Sequence, residues 1–378
     1  MVHRTNLWLQ LINIPSLFVL LCSIHCFSCD ESHPLTSQTS DLQMSEVEDM
    51  SIHSKPLDEE VNTAQNEFDT ALEENYPRDE QIRFNHLQAL GTHNSYHLEP
   101  ELNILPWRYS HLPLRDQLDL QGVRQFELDI YEMSPNELEV FHVERLDDQS
   151  TCPSLTHCLA ELKTWSDEHL EHHPLVVMIE PKQLLGPPSA SIQLLEDIIT
   201  NVWPIERILT PHLVQREYSS LAEGLEQEGW PTLSEIRGRI MIILHSGGAL
   251  REAYLDAPGG IKTRVMFPDA YGQLDLPYAA FHSMNDPINQ FDQIQNIVQR
   301  GHLVRTRTDA DNVEPSMLDY GRSQKALDSG AHFLSTDFPV PPTDNQYGFI
   351  IPLGTPSRCN ALTAIVHCES TDLEHIRY

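Results

Sequence analysis

The sequence predicts an α/β fold of the TIM-type (β/α)8 barrel, regular or distorted, forming a single catalytic domain. Two observations predict it. Eight short apolar runs follow one another from residue 86 with helix-like segments between several of them, and polar residues gather at the ends of those runs. The runs are HLQALG (86–91), VRQFELDIY (123–131), LEVFH (138–142), PLVVMIEPK (174–182), RIMIILH (239–245), YAAFHSM (278–284), HLVRTRT (302–308) and AHFLSTDFP (331–339). LTHCLAELKTWSDEHL precedes the fourth run as an amphipathic helix. INQFDQIQNIVQRG precedes the seventh and RSQKALDSG the eighth, with Gly301 and Gly330 placed as helix C-terminal glycines. Strands alternating with helices build a parallel sheet, and eight of them in about 300 residues match a barrel better than a doubly wound sheet. Neither a G-x-G-x-x-G nor a Walker loop occurs, which removes the usual nucleotide-binding readings.

The ends of the chain differ from this core. Arg4 is followed by an apolar centre through Leu17, Phe18, Val19, Leu20 and Leu21 and by small residues near Ser28, a pattern that reads as a secretory signal over residues 1–28 and predicts export. Gln10, Asn13 and Pro15 interrupt the centre, which argues against a membrane anchor. The formal charge is −32, and residues 30–80 hold 15 acidic and two basic residues. So charged and so poor in apolar groups, residues 29–80 are expected to be a disordered acidic spacer. The barrel is expected over 81–345 and a C-terminal extension without inferred role over 346–378. The acidic surface argues against nucleic acid as a partner. With Cys22, Cys26 and Cys29 in or beside the signal, four of the seven cysteines remain in the body of the protein. The favoured pairings close two short loops, Cys152 with Cys158 and Cys359 with Cys368. Zinc is the lesser reading, since these four cysteines show no C-x-x-C spacing and H-E-x-x-H is not present.

Barrel enzymes carry their chemistry at the carboxyl ends of the strands. His93 and Asn94 follow the first run, Glu127 and Asp129 lie in the second, His142 ends the third and Glu180 the fourth. Two apart in an extended segment, Glu127 and Asp129 point to one face, and like charges so placed repel unless a cation sits between them. Basic partners such as Arg124 or Arg305 are the plainer explanation. Glu180 closes the apolar run Val176 to Ile179, where an unpartnered charge is costly. Three carboxylates and the Asn94 amide oxygen, with no thiolate, form a hard oxygen site suited to Ca²⁺. His93 and His142 are suited to general acid–base work. His97, His111, His172 and His173 are left as structural or surface residues.

GTHNSYH, FELDIY, VFH and VVMIEPK, in this order, resemble the X-type catalytic half of phosphoinositide-specific phospholipases C. RVMFPDAYG, AAFHSMNDP, HLVRTRTDAD and SGAHFLSTDFP narrow the resemblance to the secreted, Ca²⁺-dependent, single-domain phosphoinositide phospholipase C family. It covers about residues 83 to 345. The resemblance implies catalytic roles for His93 and His142 and calcium ligation by Asn94, Glu127, Asp129 and Glu180. It implies attack of an inositol hydroxyl on its own phosphodiester, with His142 favoured as the proton partner of the leaving group. Lys182, Arg305, Arg307 and Asp337 are candidates for contact with phosphate or ring hydroxyls. Trp107 and Tyr109, read as exposed aromatics, offer a transient contact with a lipid surface, packing over the barrel rim being the more ordinary explanation. A monomer is expected. The alternatives are a glycerophosphodiester phosphodiesterase, whose first motif opens His-Arg-Gly where this chain has THNS, and a non-catalytic inositol-lipid-binding barrel.

Overall fold

Parallel pairing organises the domain. The structure, a computed structural model, describes residues 74–339, 347–351, 353 and 356–375. The expected signal and most of the expected spacer lie outside these residues. Ten strands are present among the described residues: β1 (Leu87–Thr92), β2 (Gln125–Ser134), β3 (Glu137–Val140), β4 (Leu175–Gln183), β5 (Ile240–Leu244), β6 (Met266–Pro268), β7 (Phe281–Ser283), β8 (Leu303–Arg307), β9 (Phe333–Thr336) and β10 (Ser357–Cys359). Eight run parallel in the order β6-β5-β4-β2-β1-β9-β8-β7. A single parallel bridge, Asp269 with Phe281, spans the gap between β6 and β7, so the sheet is a nearly closed barrel.

Alternation along each strand separates two cores. Phe126, Leu128 and Ile130 of β2, Val177 and Ile179 of β4, and Ile242 and Leu244 of β5 pack against the surrounding helices, including Leu155–Glu168, Pro188–Val202 and Phe291–Gln299. The opposite faces supply Ala89, Val176, Met178, Met241, Ile243, Phe281, Leu303 and Phe333 to a second cluster inside the barrel. Glu127, Asp129, Arg305, Arg307 and Asp337 share the strand parity of this inner face. The interior therefore changes from apolar to charged along the strand direction, and that change places the site at the carboxyl ends.

Three expectations are corrected. The run 138–142 is not a barrel strand: β3 pairs antiparallel with the outer half of β2, Ile130 opposite Val140, through a turn in which Asn136 adopts φ 67°. A connection of two residues cannot make the crossover of a dozen or more that parallel pairing needs. The fifth barrel strand is instead β6, three residues of the segment RVMFPDAYG. Packing also begins before residue 81, because Tyr76 and Asp79 are buried, and Asp79 accepts hydrogen bonds from Arg237.

The C-terminal segment belongs to the fold. β10 pairs antiparallel with the first half of β1, Leu87 opposite Cys359, on the side that β2 reaches only at Gly91. Beyond it, Glu374 is buried and takes two hydrogen bonds of 3.1 Å from Arg124 Nε at the start of β2. Both expected short disulfides, Cys152–Cys158 and Cys359–Cys368, are formed.

Candidate active site

β1 delivers the first elements of the site. At Gly91 the strand meets β2 so closely that a Cβ would stand 2.1 Å from Gln125 Oε1. Thr92 Oγ1 then binds Ser95 Oγ and Gln117 Oε1, and Asn94 turns through φ 43°, a left-handed conformation that asparagine tolerates. His93 lies in this turn. Its Nδ1–H donates to Asp337 Oδ1 at 2.8 Å, while Arg307 donates from one nitrogen to Asp337 Oδ2 (2.8 Å) and from the other to His93 Nε2 (3.4 Å). Burial and the neighbouring Arg307 lower the His93 pKa against the pull of Asp337. Burial favours a protonated Asp337, but Arg307 and His93 prevail and hold it well below the usual carboxylate range. The result is a neutral imidazole with Nε2 as its proton-accepting nitrogen.

The carboxylates gather beside it. Burial would raise Glu127, yet the Arg305 guanidinium, hydrogen-bonded to Glu127 Oε2, holds its pKa at about 2. Arg305 is fully buried and also donates to Asn285 Oδ1 (2.6 Å) and Ser335 Oγ (2.9 Å). Lys182 Nζ lies 2.6 Å from Glu180 Oε1 and 3.3 Å from Asp129 Oδ2. Both are ion-pair contacts, and both Asp129 oxygens lack a hydrogen-bond partner among the described residues. Burial, against Lys182 and with Glu180 and Glu127, pushes Asp129 up to about 8. A buried carboxylate with two unsatisfied oxygens, flanked by two further carboxylates, is a donor set that fits a calcium ion. Asn94, whose Nδ2 donates to Tyr109 Oη at 3.4 Å, belongs to the same end of the barrel.

His142 stands apart from this group. It lies two residues beyond β3, its Nδ1–H donating to Asp147 Oδ2 at 2.7 Å and Trp107 edge-on at 5.5 Å. Burial pushes Asp147 up, but its hydrogen bonds from His142 and His97 win and hold its pKa low.

Several residues here escaped sequence reasoning. His245 directly follows β5 and donates from Nδ1 to Asp269 Oδ2 at 2.7 Å. Its ring lies within a cluster with Glu127 and Glu180 whose ligand atoms fall within 4.8 Å of one another. The rule that selected Glu180, a polar residue closing an apolar run, selects His245 as well. Asp147 has no such signal, and Asp269 follows a strand too short to recognise. His97, set aside by sequence, is fully buried against Asp147, and His111 donates from Nε2 to the His93 carbonyl at 2.9 Å. Tyr109, read as exposed, is buried. Exposed apolar residues on this rim include Leu102, Ile104 and Leu105, with Val313, Met317 and Leu318 from the segment after β8. Asn312 Nδ2 donates to the Leu105 carbonyl and ties the two segments together.

A family model described as phosphoinositide phospholipase C, Ca²⁺-dependent, matches residues 82–136 and 132–361. No curated protein sequence matches the chain. Among solved structures, the fold resembles a calcium-dependent phosphoinositol-specific phospholipase C from a Gram-negative Pseudomonas species, with TM-score 0.55 and 20% identity over 75% of this chain and 97% of that one. The same enzyme in a myo-inositol complex gives TM-score 0.55 and 18% identity, covering 75% and 97% of the two chains. A Ca²⁺-dependent phosphatidylinositol-specific enzyme from Streptomyces antibioticus gives 0.52 and 16%, over 70% of this chain and 98% of that one.

Proposed function

Because the chain belongs to the Ca²⁺-dependent phosphoinositide phospholipase C family, we propose that it cleaves phosphatidylinositol-type lipids by attack of an inositol hydroxyl on its own phosphodiester. Diacylglycerol leaves, and a cyclic inositol phosphate forms that water then opens. The observation that carries this reading is the buried carboxylate cluster with the unsatisfied Asp129 at its centre, beside His93 on Asp337 and with His142 set apart on Asp147.

The residues divide the work as follows. His93, neutral and oriented by Asp337, takes the proton of the attacking hydroxyl on Nε2. His142, whose Nδ1 is committed to Asp147, gives the Nε2 proton to the departing alkoxide. In the second half-reaction the roles reverse, water losing a proton to His142 and the ring oxygen regaining one from His93. Asn94, Glu127, Asp129 and Glu180 are the residues that would hold calcium. When bound, the ion lowers the pKa of the attacking hydroxyl and offsets phosphate charge. Arg307, beside both His93 and Asp337, is the better placed of the two arginines to meet a phosphate oxygen, because Arg305 is consumed by Glu127, Asn285 and Ser335. The apolar rim of Leu102, Ile104, Leu105, Val313, Met317 and Leu318 would contact the lipid surface.

A cleavage assay on full-length protein tests the reading. Phosphatidylinositol vesicles should yield diacylglycerol and cyclic inositol phosphate, with activity lost on EGTA and in Asp129→Asn. His93→Ala and His142→Ala should each fall by about 10²- to 10⁴-fold. Activity that survives chelation, or that His142→Ala leaves intact, refutes the mechanism. The Met317→Asp variant should lose activity on vesicles and keep it on monomeric short-chain substrate; equal loss on both removes the lipid-contact role.

A further inference from the structure

We propose that His97 is a positioning residue which, through Asp147, fixes His142 for protonation of the leaving alkoxide; the inference rests on the role given to His142 above. His97 is fully buried, stacked on Tyr109 with ring centroids 4.2 Å apart and edge-on to His142 at 6.1 Å. Its two nitrogens both face oxygen acceptors: Nδ1 lies 3.0 Å from the Tyr109 carbonyl and Nε2 2.9 Å from Asp147 Oδ2. That same Oδ2 receives the His142 Nδ1–H at 2.7 Å. One carboxylate oxygen thus joins two imidazoles, one sealed in the protein and one at the site.

The backbone holds this arrangement from both ends. Residues 143–147 form a turn in which Asp147 N donates to the Val143 carbonyl at 2.8 Å and His142 N to the Asp147 carbonyl at 3.2 Å, with Arg145 at φ 64°. His97 pairs in an antiparallel bridge with Ser150, just past the turn. Asp147 is fully buried with no Arg or Lys in contact among the described residues, and its Oδ1 has no hydrogen-bond partner there. A buried carboxylate is costly without donors, so His97 supplies what His142 alone does not. Tyr109 stacking would be served equally by an apolar ring; the two hydrogen bonds are what distinguish histidine here.

These three side chains are close enough to suggest a shared cation, but the distances decide otherwise. Ligands around a tetrahedral metal at about 2.0–2.1 Å stand well over 3 Å apart, whereas these atoms are 2.7 and 2.9 Å apart, the separation of shared protons. With His97 removed, the Asp147 carboxylate loses its fixed partner, and the His142 ring loses the anchor that aims Nε2. Small misalignments of a proton donor cost rate without weakening substrate binding.

The leaving group separates a positioning role from a general loss of structure. Phosphatidylinositol releases an alkoxide that needs a proton, whereas the nitrophenyl ester of inositol phosphate releases a stabilised aryl oxide that does not. His97→Leu should lower kcat on the lipid by about 10- to 100-fold, with KM changed less than about twofold, and lower kcat on the aryl ester by less than about threefold. His97→Gln, which keeps one donor toward Asp147, should recover part of the loss and serves as the test if the leucine variant fails to fold. His142→Ala, measured alongside, should show the same substrate selectivity more strongly. Equal losses on both substrates, or no loss, in the His97 variants while His142→Ala remains selective would overturn the inference alone. A His142→Ala variant without selectivity would overturn the role of His142 and the inference with it.

Discussion

Lys182 shows how one side chain balances the site. Its Nζ stands between Glu180 and Asp129, two of the residues that would hold calcium, so its positive charge competes with the ion for the same oxygens. Replacing it with methionine should tighten Ca²⁺ binding by about tenfold, the factor that 1.4 kcal/mol represents, as read by calorimetric titration. An unchanged or weaker affinity would show that Lys182 assists the ion instead of competing with it. Reading residues from sequence succeeded where the signal was local: parity within FELDIY put Glu127 and Asp129 on one face, and their burial follows from the same alternation. It failed at His97, where nothing in GTHNSYH distinguishes a histidine that meets Asp147 from one that meets water. The choice between Arg305 and Arg307 was equally silent, since both share a face and differ only in what lies across the barrel.

At the scale of elements, the C-terminal segment acts as part of the barrel floor. Arg124 at the entry of β2, His173 before β4 and Glu374 near the chain end form one buried group, with His173 Nε2 3.6 Å from Glu374 Oε2. Burial alone would raise Glu374, but Arg124 and His173 hold its pKa at about 2. Glu374→Gln leaves the guanidinium buried and poorly compensated, and should destabilise the fold by about 3–5 kcal/mol in urea unfolding. A loss below about 1 kcal/mol would mean that Arg124 finds other acceptors, its bonds to the Leu118 and Val123 carbonyls being the available ones. Sequence gave no hint of this role, because SRC in β10 is three residues long and Glu374 is an ordinary acid in an acidic chain. β6 was missed for the same reason of length, and β3 was misassigned because an alternating tetrapeptide signals extension but not its partner.

Across the described residues, burial keeps several histidines neutral. Burial lowers His172, His282 and His332 to about 3, and His86, His111, His173 and His302 to about 4. In the unfolded chain each would titrate near 6.5. Their contribution is therefore complete above about pH 6.5 and is lost as pH falls toward their folded values, because the unfolded state then binds protons that the native state refuses. Each costs at most about 1.4 kcal/mol per pH unit, so together they can remove several kcal/mol from a domain of ordinary stability, about 5–15 kcal/mol. The melting temperature should drop steeply between about pH 6.5 and 5, before most carboxylates titrate. A transition flat to pH 5 would show that these pockets admit protons at little cost. His245, raised because Asp269 outweighs burial, opposes this trend: its contribution is present at low pH and lost as pH rises through its folded value.

What the sequence determined by itself was the barrel class and the residues at its strand ends: His93, Asn94, Glu127, Asp129 and Glu180 stand out because strand periodicity and the polarity of a run's last residue are properties of adjacent positions, and His142 stands out by the same rule although its run is a hairpin strand outside the barrel. The tertiary structure decided the rest. It joined Asp337 and Arg307 to His93 across more than two hundred residues, gave Arg305 to Glu127, set Asp147 between His142 and His97, and drew Glu374 beneath β2. These are choices of partner between segments distant in the chain. They are fixed by which strands close the barrel and which side chains then share a buried volume, and neighbouring residues carry no record of that.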